Sequence, residues 1–346
     1  MTGAGFVRTA SRRAILGAAA GALLTGGASA CARHRETGTA AGPWRHGRLY
    51  VATGNTTGVF YQIGGGYADI ITAHLPGYEA TAEPTNAAVD NIRRLVRGDA
   101  DIAFTFADAA ADAVRGRPPF AGTPQRIVAL ARIYNSYTHV IARVGTGVRG
   151  ASDLRGRRIS TGSPGSGSEL VALRMLAAAG LDPDRDVRRQ ALSLPETVRA
   201  MRAGSLDAMF WTGGLPALGI SDLLRTIPDR LVFLPVIDLL PALRKEYGDA
   251  YSPATIGRAA YGQPGDVPTI AVGSLVTVQP ELPDDLAYQL TRLLFDHQDE
   301  LAGAHPEGRN YTREAAPHTE PVPLHPGARR YYEAGTPSTR PGNTGR

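Results

Sequence analysis

Lysine is almost absent from this 346-residue chain: Lys245 is the only one, and the remaining positive charge is arginine. With abundant Ala, Gly and Pro, that pattern reads as genomic codon bias rather than selection for a basic surface. The formal net charge is +5, and Arg8, Arg12 and Arg13, unopposed by any acid in residues 1–30, account for more than half of it. The other arginines are interspersed with Asp and Glu, so there is no polybasic stripe of the kind that binds nucleic acid. A single cysteine, Cys31, excludes an intramolecular disulfide, a Cys-based zinc cluster and a CxxC redox pair. The eight histidines include no HExxH. His297, His305, His318 and His325 read as surface or packing residues, and no resident metal or cofactor is expected. Long apolar runs are missing too. The uncharged apolar stretch Ile15–Ala30 is too short and too rich in Gly and Ala for a comfortable membrane span.

What the N-terminus does contain is a targeting pattern. Ser11-Arg12-Arg13-Ala14-Ile15-Leu16 is of the twin-arginine type, and Ala28-Ser29-Ala30 places small residues immediately before Cys31. Residues 1–30 are therefore expected to be a signal peptide and Cys31 a lipidation site. Residues 31–46 are polar and irregular and read as a tether. Residues 337–346 read as a disordered tail. A length of 346 residues and 43% apolar content leave room for two compact lobes.

Hydrophobic periodicity suggests one plan used twice. Gly47–Thr53 alternates as a strand, and Gly54–Gly58 is a Gly-rich turn. Phe60, Ile63, Tyr67, Ile70, Ile71 and His74 then recur at helical spacing. A short strand near Tyr78–Ala82 precedes a helix carrying Val89, Ile92 and Leu95, stopped by Gly98, and Asp101–Phe106 reads as a buried strand. The order returns as strand Arg158–Thr161, turn Gly162–Gly167, a helix carrying Leu170 to Leu176, a helix Pro195–Arg202 stopped by Gly204, and strand Asp207–Trp211. Ala52-Thr53-Gly54 matches Ser160-Thr161-Gly162. The run Gly98 to Phe104 matches Gly204 to Phe210 as G-x-x-D-[IA]-x-F. Alternating strands and helices imply two α/β lobes with parallel sheets.

Two strand-like runs, Ile127–Ile133 and Thr138–Val144, are expected to carry the chain between lobes, and Thr269–Val278 to carry it back. A helix marked by Leu286, Leu290, Leu293 and Leu294 follows. The first lobe is then discontinuous, 47–139 with 268–336, and the second spans 140–267.

Ligands of open α/β sheets sit beyond the C-terminal ends of the strands, where both Thr-Gly turns would face a cleft. Ser163-Pro164-Gly165-Ser166-Gly167-Ser168 before a helix is a candidate anion cradle, because a helix N-terminus offers unpaired N–H groups and partial positive charge. Gly54, Thr57 and Gly58 belong to its counterpart. Thr105 with Asp108, and Trp211 with Thr212 and Gly213, end the strands that should face the cleft. Tyr134 and Tyr137 lie between the lobes, and Arg132 and Arg143 are the nearest arginines by topology. Gly64-Gly65-Gly66 inside a helix costs about 1 kcal/mol per residue relative to alanine, for close packing or for a bare backbone near a ligand. No lysine follows either turn, and no serine in 163–168 has the flanks of a nucleophile elbow, so no catalytic constellation is expected.

Several segments together resemble the TAXI family of TRAP-transporter solute-binding proteins. They are Ala52 to Gly64, Asn91 to Asp101, Ser152-Asp153-Leu154-Arg155-Gly156-Arg157 with Gly162–Ser168, Gly204–Ala208, Asp285–Leu294 and Pro323–Tyr332. The resemblance implies a two-lobed periplasmic-binding-protein type II fold. It also implies capture of a small carboxylate, such as glutamate or 2-oxoglutarate, for a TRAP-type permease. It places Phe60, Tyr61, Asn91 and the turns at 54–61 and 163–168 toward the ligand. The chain departs from the family at Ala88 and at Phe106-Ala107-Asp108, where polar residues are common. A membrane-coupled sensor, and an enzyme using a serine of 163–168 with a nearby base, are the alternative readings.

Overall fold

The computed structural model describes residues 44–335. The twin-arginine segment, Cys31, most of the tether and the tail at 337–346 lie outside the described residues. Strands and helices alternate through the first repeat. These elements are β1 (Arg48–Ala52), α1 (Val59–His74), β2 (Glu79–Glu83), α2 (Ala88–Arg97), β3 (Ile102–Phe106) and α3 (Ala107–Arg115). The long β4 (Val128–Arg143) leads to the second repeat: β5 (Arg158–Ser160), α4 (Gly167–Ala178), β6 (Arg188–Gln190), α5 (Leu194–Ala203) and β7 (Ala208–Gly213). Then come α6 (Leu218–Thr226), β8 (Leu231–Phe233), α7 (Leu240–Tyr247), β9 (Tyr251–Ile256) and β10 (Val267–Val278). The chain closes on α8 (Asp284–Asp296), α9 (Gln298–Ala304) and α10 (Pro326–Ala334).

The strands form one sheet in the order β2-β1-β3-β10-β4-β7-β5-β6, with β9 on β10 and β8 on β4. Within each repeat the first strand is central, and all pairings are parallel: β1 with β2 and β3, β5 with β6 and β7. The shared G-x-x-D motif has a physical reason. Gly98 and Gly204 adopt left-handed conformations (φ 79° and 74°) that end α2 and α5, where a side chain would be strained. Asp101 then accepts from Tyr50 N through Oδ2 at 2.9 Å, and Asp207 accepts from Arg158 N through Oδ2 at 2.8 Å. Each aspartate thus fastens the start of its lobe's central strand.

The two runs read from sequence at 127–133 and 138–144 are one strand. Tyr134 to Tyr137 continue it because β10 accompanies it throughout, with register shifts between Gly273 and Leu275 and between Val276 and Thr277. The first half of β4 pairs with β10, and its last residues pair with β7 and β8. β10 pairs with β9 along its first half and with β3 along its second. Two antiparallel strands therefore run through both lobes.

Gly64 and Gly66 inside α1 serve packing. A Cβ on Gly64 would lie 2.3 Å from Thr53 Cγ2, and one on Gly66 would lie 2.8 Å from Ala304 Cβ, whereas Gly65 has open space. No described helix is long and apolar enough to cross a membrane.

Candidate functional site

The C-terminal ends of β1, β3, β5 and β7 converge on a cavity between the two repeats. Its wall takes Gly54, Asn55, Gly58, Val59 and Phe60 from the β1–α1 turn, Asn86 and Ala87 before α2, and Phe106 ending β3. Tyr134 and Ser136 come from mid-β4, Ser163, Ser166, Gly167 and Ser168 from the β5–α4 turn, and Trp211 to Gly214 from the end of β7. Of the residues expected from sequence, Gly54, Gly58, Phe60, Tyr134, Ser163, Ser166, Gly167, Ser168, Trp211, Thr212 and Gly213 are thus brought together. The volume open to the centre of a water-sized sphere is about 30 Å³. At about 10–15 Å³ per water, that admits only two or three water molecules.

Thr57, Tyr61, Asn91, Thr105 and Gly165 stand elsewhere, as do Asp108 and Tyr137. Asn91 is fully buried beneath the site. Its amide donates to Ala52 O, Thr53 O and Phe104 O at 3.2, 2.7 and 2.7 Å, and its carbonyl accepts from Thr85 Oγ1 at 2.6 Å. It ties β1 to β3, and both of its amide hydrogens are spent there. Thr105 donates to Ala88 O at 3.4 Å. Tyr61 is half-buried on α1, outside the wall. Thr57 O accepts from Gly219 N, and Gly165 O accepts from Asp90 N, so these two residues join the lobes beside the cavity. Arg132 donates to Asn135 Oδ1 and Arg143 to Met201 O, and neither reaches the cavity.

The cradle at 163–168 is narrower than the sequence suggests. Gly165 N donates to Glu169 Oε2 at 2.7 Å, and Glu169 N donates to the N-cap Ser166 Oγ at 3.0 Å. What remains toward the cavity are the N–H groups of Gly167 and Ser168, the first helical positions, which no intrahelical carbonyl reaches. From the other lobe, α1 starts at the same cavity with Gly58 as an N-cap that supplies no side chain. Two helix N-termini, each with partial positive charge, therefore meet there. No Arg, Lys, His, Asp or Glu lines the wall.

Two polar atoms of the lining are buried without a hydrogen-bond partner: Trp211 Nε1 and Tyr134 Oη. Each such group costs about 1–3 kcal/mol unless something satisfies it. Burial, with Glu307 nearby, pushes the Tyr134 phenol well above its usual range, so it is a neutral donor. Phe60 packs against two other rings of the wall, tilted against Phe106 with centroids 5.3 Å apart and edge-on to Tyr134 with centroids 6.3 Å apart. Ala87 is the strained position. It is a non-glycine residue at φ 69°, ψ −172°, held by its N–H donating to Thr85 Oγ1 at 2.9 Å. That conformation costs of order 1–3 kcal/mol.

The serines have amide and backbone partners. Ser163 Oγ meets the Asn55 side chain, and Ser168 Oγ accepts from Thr212 N at 3.0 Å and donates to Thr212 O at 3.2 Å. Asn55 is the residue that sequence reasoning missed most plainly. Its amide reaches Ser163 Oγ at 3.2 Å while its Oδ1 accepts from Leu194 N at 2.7 Å, clipping one lobe to the other. It lay inside the Gly54–Gly58 turn, but only the opposing lobe reveals its use. Behind the wall, buried His139 is pushed down to about 4 by desolvation. As a neutral ring it accepts from Tyr261 Oη through Nε2 at 2.9 Å.

Solved structures share this fold. The binding-protein component of an ABC phosphonate transporter from Pseudomonas aeruginosa is 14% identical, with 76% of this chain and 79% of that one covered at a TM-score of 0.52. PhnD1 from Prochlorococcus marinus, in complex with methylphosphonate, is 11% identical, with 76% and 90% covered at a TM-score of 0.51. These are likenesses of fold, that of periplasmic solute-binding proteins. Residues 51–335, nearly the whole of the described chain, match the NMT1-like family, and the protein belongs to that family.

Proposed function

We propose that this protein is an extracytoplasmic solute-binding subunit that captures a compact anionic or polar solute by lobe closure and hands it to a membrane permease. The observation that carries the proposal is the cavity wall itself. Two helix N-termini and two unpartnered hydrogen-bonding groups, Trp211 Nε1 and Tyr134 Oη, face an enclosed space between aromatic side chains. With no cationic side chain in the wall, an anion would be held by N–H and O–H groups alone. The lobes in this proposal are 47–139 with 268–336, and 140–267, so that motion is absorbed in β4 and β10. The permease class implied by the resemblance is TRAP, and the solute class is a small carboxylate. The phosphonate-related neighbours of the same fold add phosphonates to the candidates. The small cavity favours solutes of few heavy atoms; glutamate or 2-oxoglutarate would need the lobes to stand further apart.

A thermal-shift panel of short carboxylates, 2-oxo acids, amino acids and alkylphosphonates tests this. One class should raise the melting temperature, since a solute at a hundred times its Kd stabilises by roughly 2.7 kcal/mol. Trp211→Phe, which keeps the ring and removes the N–H, should weaken that solute by roughly tenfold to a hundredfold if the donor meets a charged acceptor. Silence across the panel and a broader metabolite library would remove the proposal. Export and lipid attachment at Cys31 belong to the same reading. Cys31→Ser should move the protein from the membrane fraction to the soluble one, and unchanged retention would assign the anchor elsewhere.

A further inference from the structure

We propose that His74, His297 and Glu300 form a surface site for one divalent transition-metal ion, joining the end of α1 to the α8–α9 corner. His297 and Glu300 are neighbours on one helical turn, but His74 comes from a helix near the other end of the described chain, so no sequence motif announces the set. His74 is the last residue of α1, His297 closes α8 and caps α9, and Glu300 lies in the first turn of α9. The two imidazoles stack with centroids 3.8 Å apart and planes 26° apart. His297 Nδ1 is 2.6 Å and His74 Nε2 3.5 Å from the same oxygen, Glu300 Oε1.

Two imidazole nitrogens aimed at one point, now taken by a carboxylate oxygen, are an arrangement a cation can use. All the candidate donor atoms lie within 4.8 Å of one another. Bonds of about 2.0–2.2 Å from nitrogen and carboxylate oxygen would require donors roughly 3 Å apart. A turn of the Glu300 side chain and side-chain rotations that unstack the two rings, now only 26° from parallel, would bring the donors onto one ion. The side chains are 37%, 20% and 55% exposed, so a hydrated ion has access and water can fill the remaining positions. The neighbouring acids are engaged elsewhere, Asp296 with Arg292 and Asp299 with Arg309. Two imidazoles with one carboxylate suit zinc, nickel or copper rather than calcium or magnesium. Such an ion would close a long loop between the first helix of the chain's first lobe and the segment that returns to it, the case in which a clip stabilises most. The cluster shares no residue with the solute cavity.

The test uses the full chain without an affinity tag, stripped with EDTA and titrated with zinc chloride by calorimetry and thermal melting. One zinc per chain should bind and raise the melting temperature reversibly, and cobalt substitution should give a visible absorption band. Losing an outer-shell partner costs about 10–100-fold in metal affinity, so losing a ligand should cost at least about tenfold. His74→Ala, His297→Ala and Glu300→Gln should each show it, with His318→Ala as the unaffected control. All three positions are at least partly exposed, and circular dichroism checks that the variants fold. No saturable zinc binding, or binding unchanged by His74→Ala and His297→Ala, overturns the proposal.

Discussion

Gly167→Val should weaken solute binding by roughly a hundredfold while the protein still folds. A Cβ at Gly167 would lie 2.3 Å from Phe106 Cδ2, 2.5 Å from Phe106 Cε2 and 2.8 Å from Ala88 Cβ. All three atoms belong to the opposing lobe, so a lobe carrying the extra side chain is not itself crowded. Phe106 cannot step aside, because its ring is packed on Phe60. Overpacking a filled contact costs about 1–3 kcal/mol, and a clash this close falls at the upper end, which is about a hundredfold in a closed-state population. The variant should therefore rest open, with a larger radius of gyration by small-angle scattering that solute does not reduce. Backbone strain is not the cause: φ is positive at Gly162 (102°) and Gly165 (68°), not at Gly167. Ser166→Ala should do less, removing the N-cap of α4 at a cost of about 1 kcal/mol in stability. A Gly167→Val protein that binds and closes like the parent would show that the Gly167–Phe106 contact is not part of the binding state.

The repeat was legible because its signals are local. Glycine stops, the paired aspartates and the alternation of strands and helices all survive in a single sequence, and they placed β1 to β3, β5 and β7 near their observed bounds, whereas the three-residue β6, with two arginines and no apolar alternation, was not read. Most of the cavity wall was legible for the same reason, since strand ends and Gly-rich turns mark the C-terminal edge of a parallel sheet. Asn91 misled because a resemblance carries a residue without its hydrogen bonds, and here all of them go to β1, β3 and Thr85. Asn55, Ala87 and the His74–His297 pair were hidden because each acquires its role from segments distant in sequence. His74 occupied a position that fitted the apolar spacing of α1, yet the last turn of the helix leaves it partly exposed against α9. Asp108 was expected at the cleft, but one of its oxygens accepts from Ala109 N at 2.7 Å and the other faces a cation sixty-odd residues away on the opposite lobe.

That cation is Arg174, and Arg174→Met should destabilise the protein by about 3–5 kcal/mol at pH 7, the usual cost of removing one partner from a buried ion pair. Arg174 Nη1 donates to Asp108 Oδ2 at 2.9 Å, and Nη2 donates to Asp112 Oδ2. Tyr251 Oη donates to Asp108 Oδ2 at 2.6 Å, and the guanidinium lies 3.9 Å from the Tyr247 ring centre. The Arg174, Asp108 and Asp112 side chains are 7%, 0% and 5% exposed, so without the arginine two carboxylates stay buried with no hydrogen-bonded cation, and only Arg117 still acts on Asp112. Because α3 and α4 belong to different lobes, the variant can also relieve the cost by opening, which scattering would detect. The pH dependence separates this from a simple packing loss. Burial already pushes the Asp112 carboxyl above its ordinary range despite Arg174. A carboxyl raised on folding contributes most stability below its unfolded value of about 3.9 and loses it as pH rises through the folded value. Removing Arg174 raises that value further, so the deficit relative to the parent should shrink as pH falls from 7 to 5. His139 runs the other way: with a folded value of about 4 and an unfolded value of about 6.5, it withdraws stability as pH falls below 6.5. It is common to both proteins and cancels in the difference. Asp112→Asn in the Arg174→Met background should recover part of the loss at pH 7 and flatten the dependence. A deficit below about 1 kcal/mol, the range of exposed pairs, or one that is constant from pH 7 to 5, would mean that the Arg174–Asp108–Asp112 cluster does not hold the lobes together.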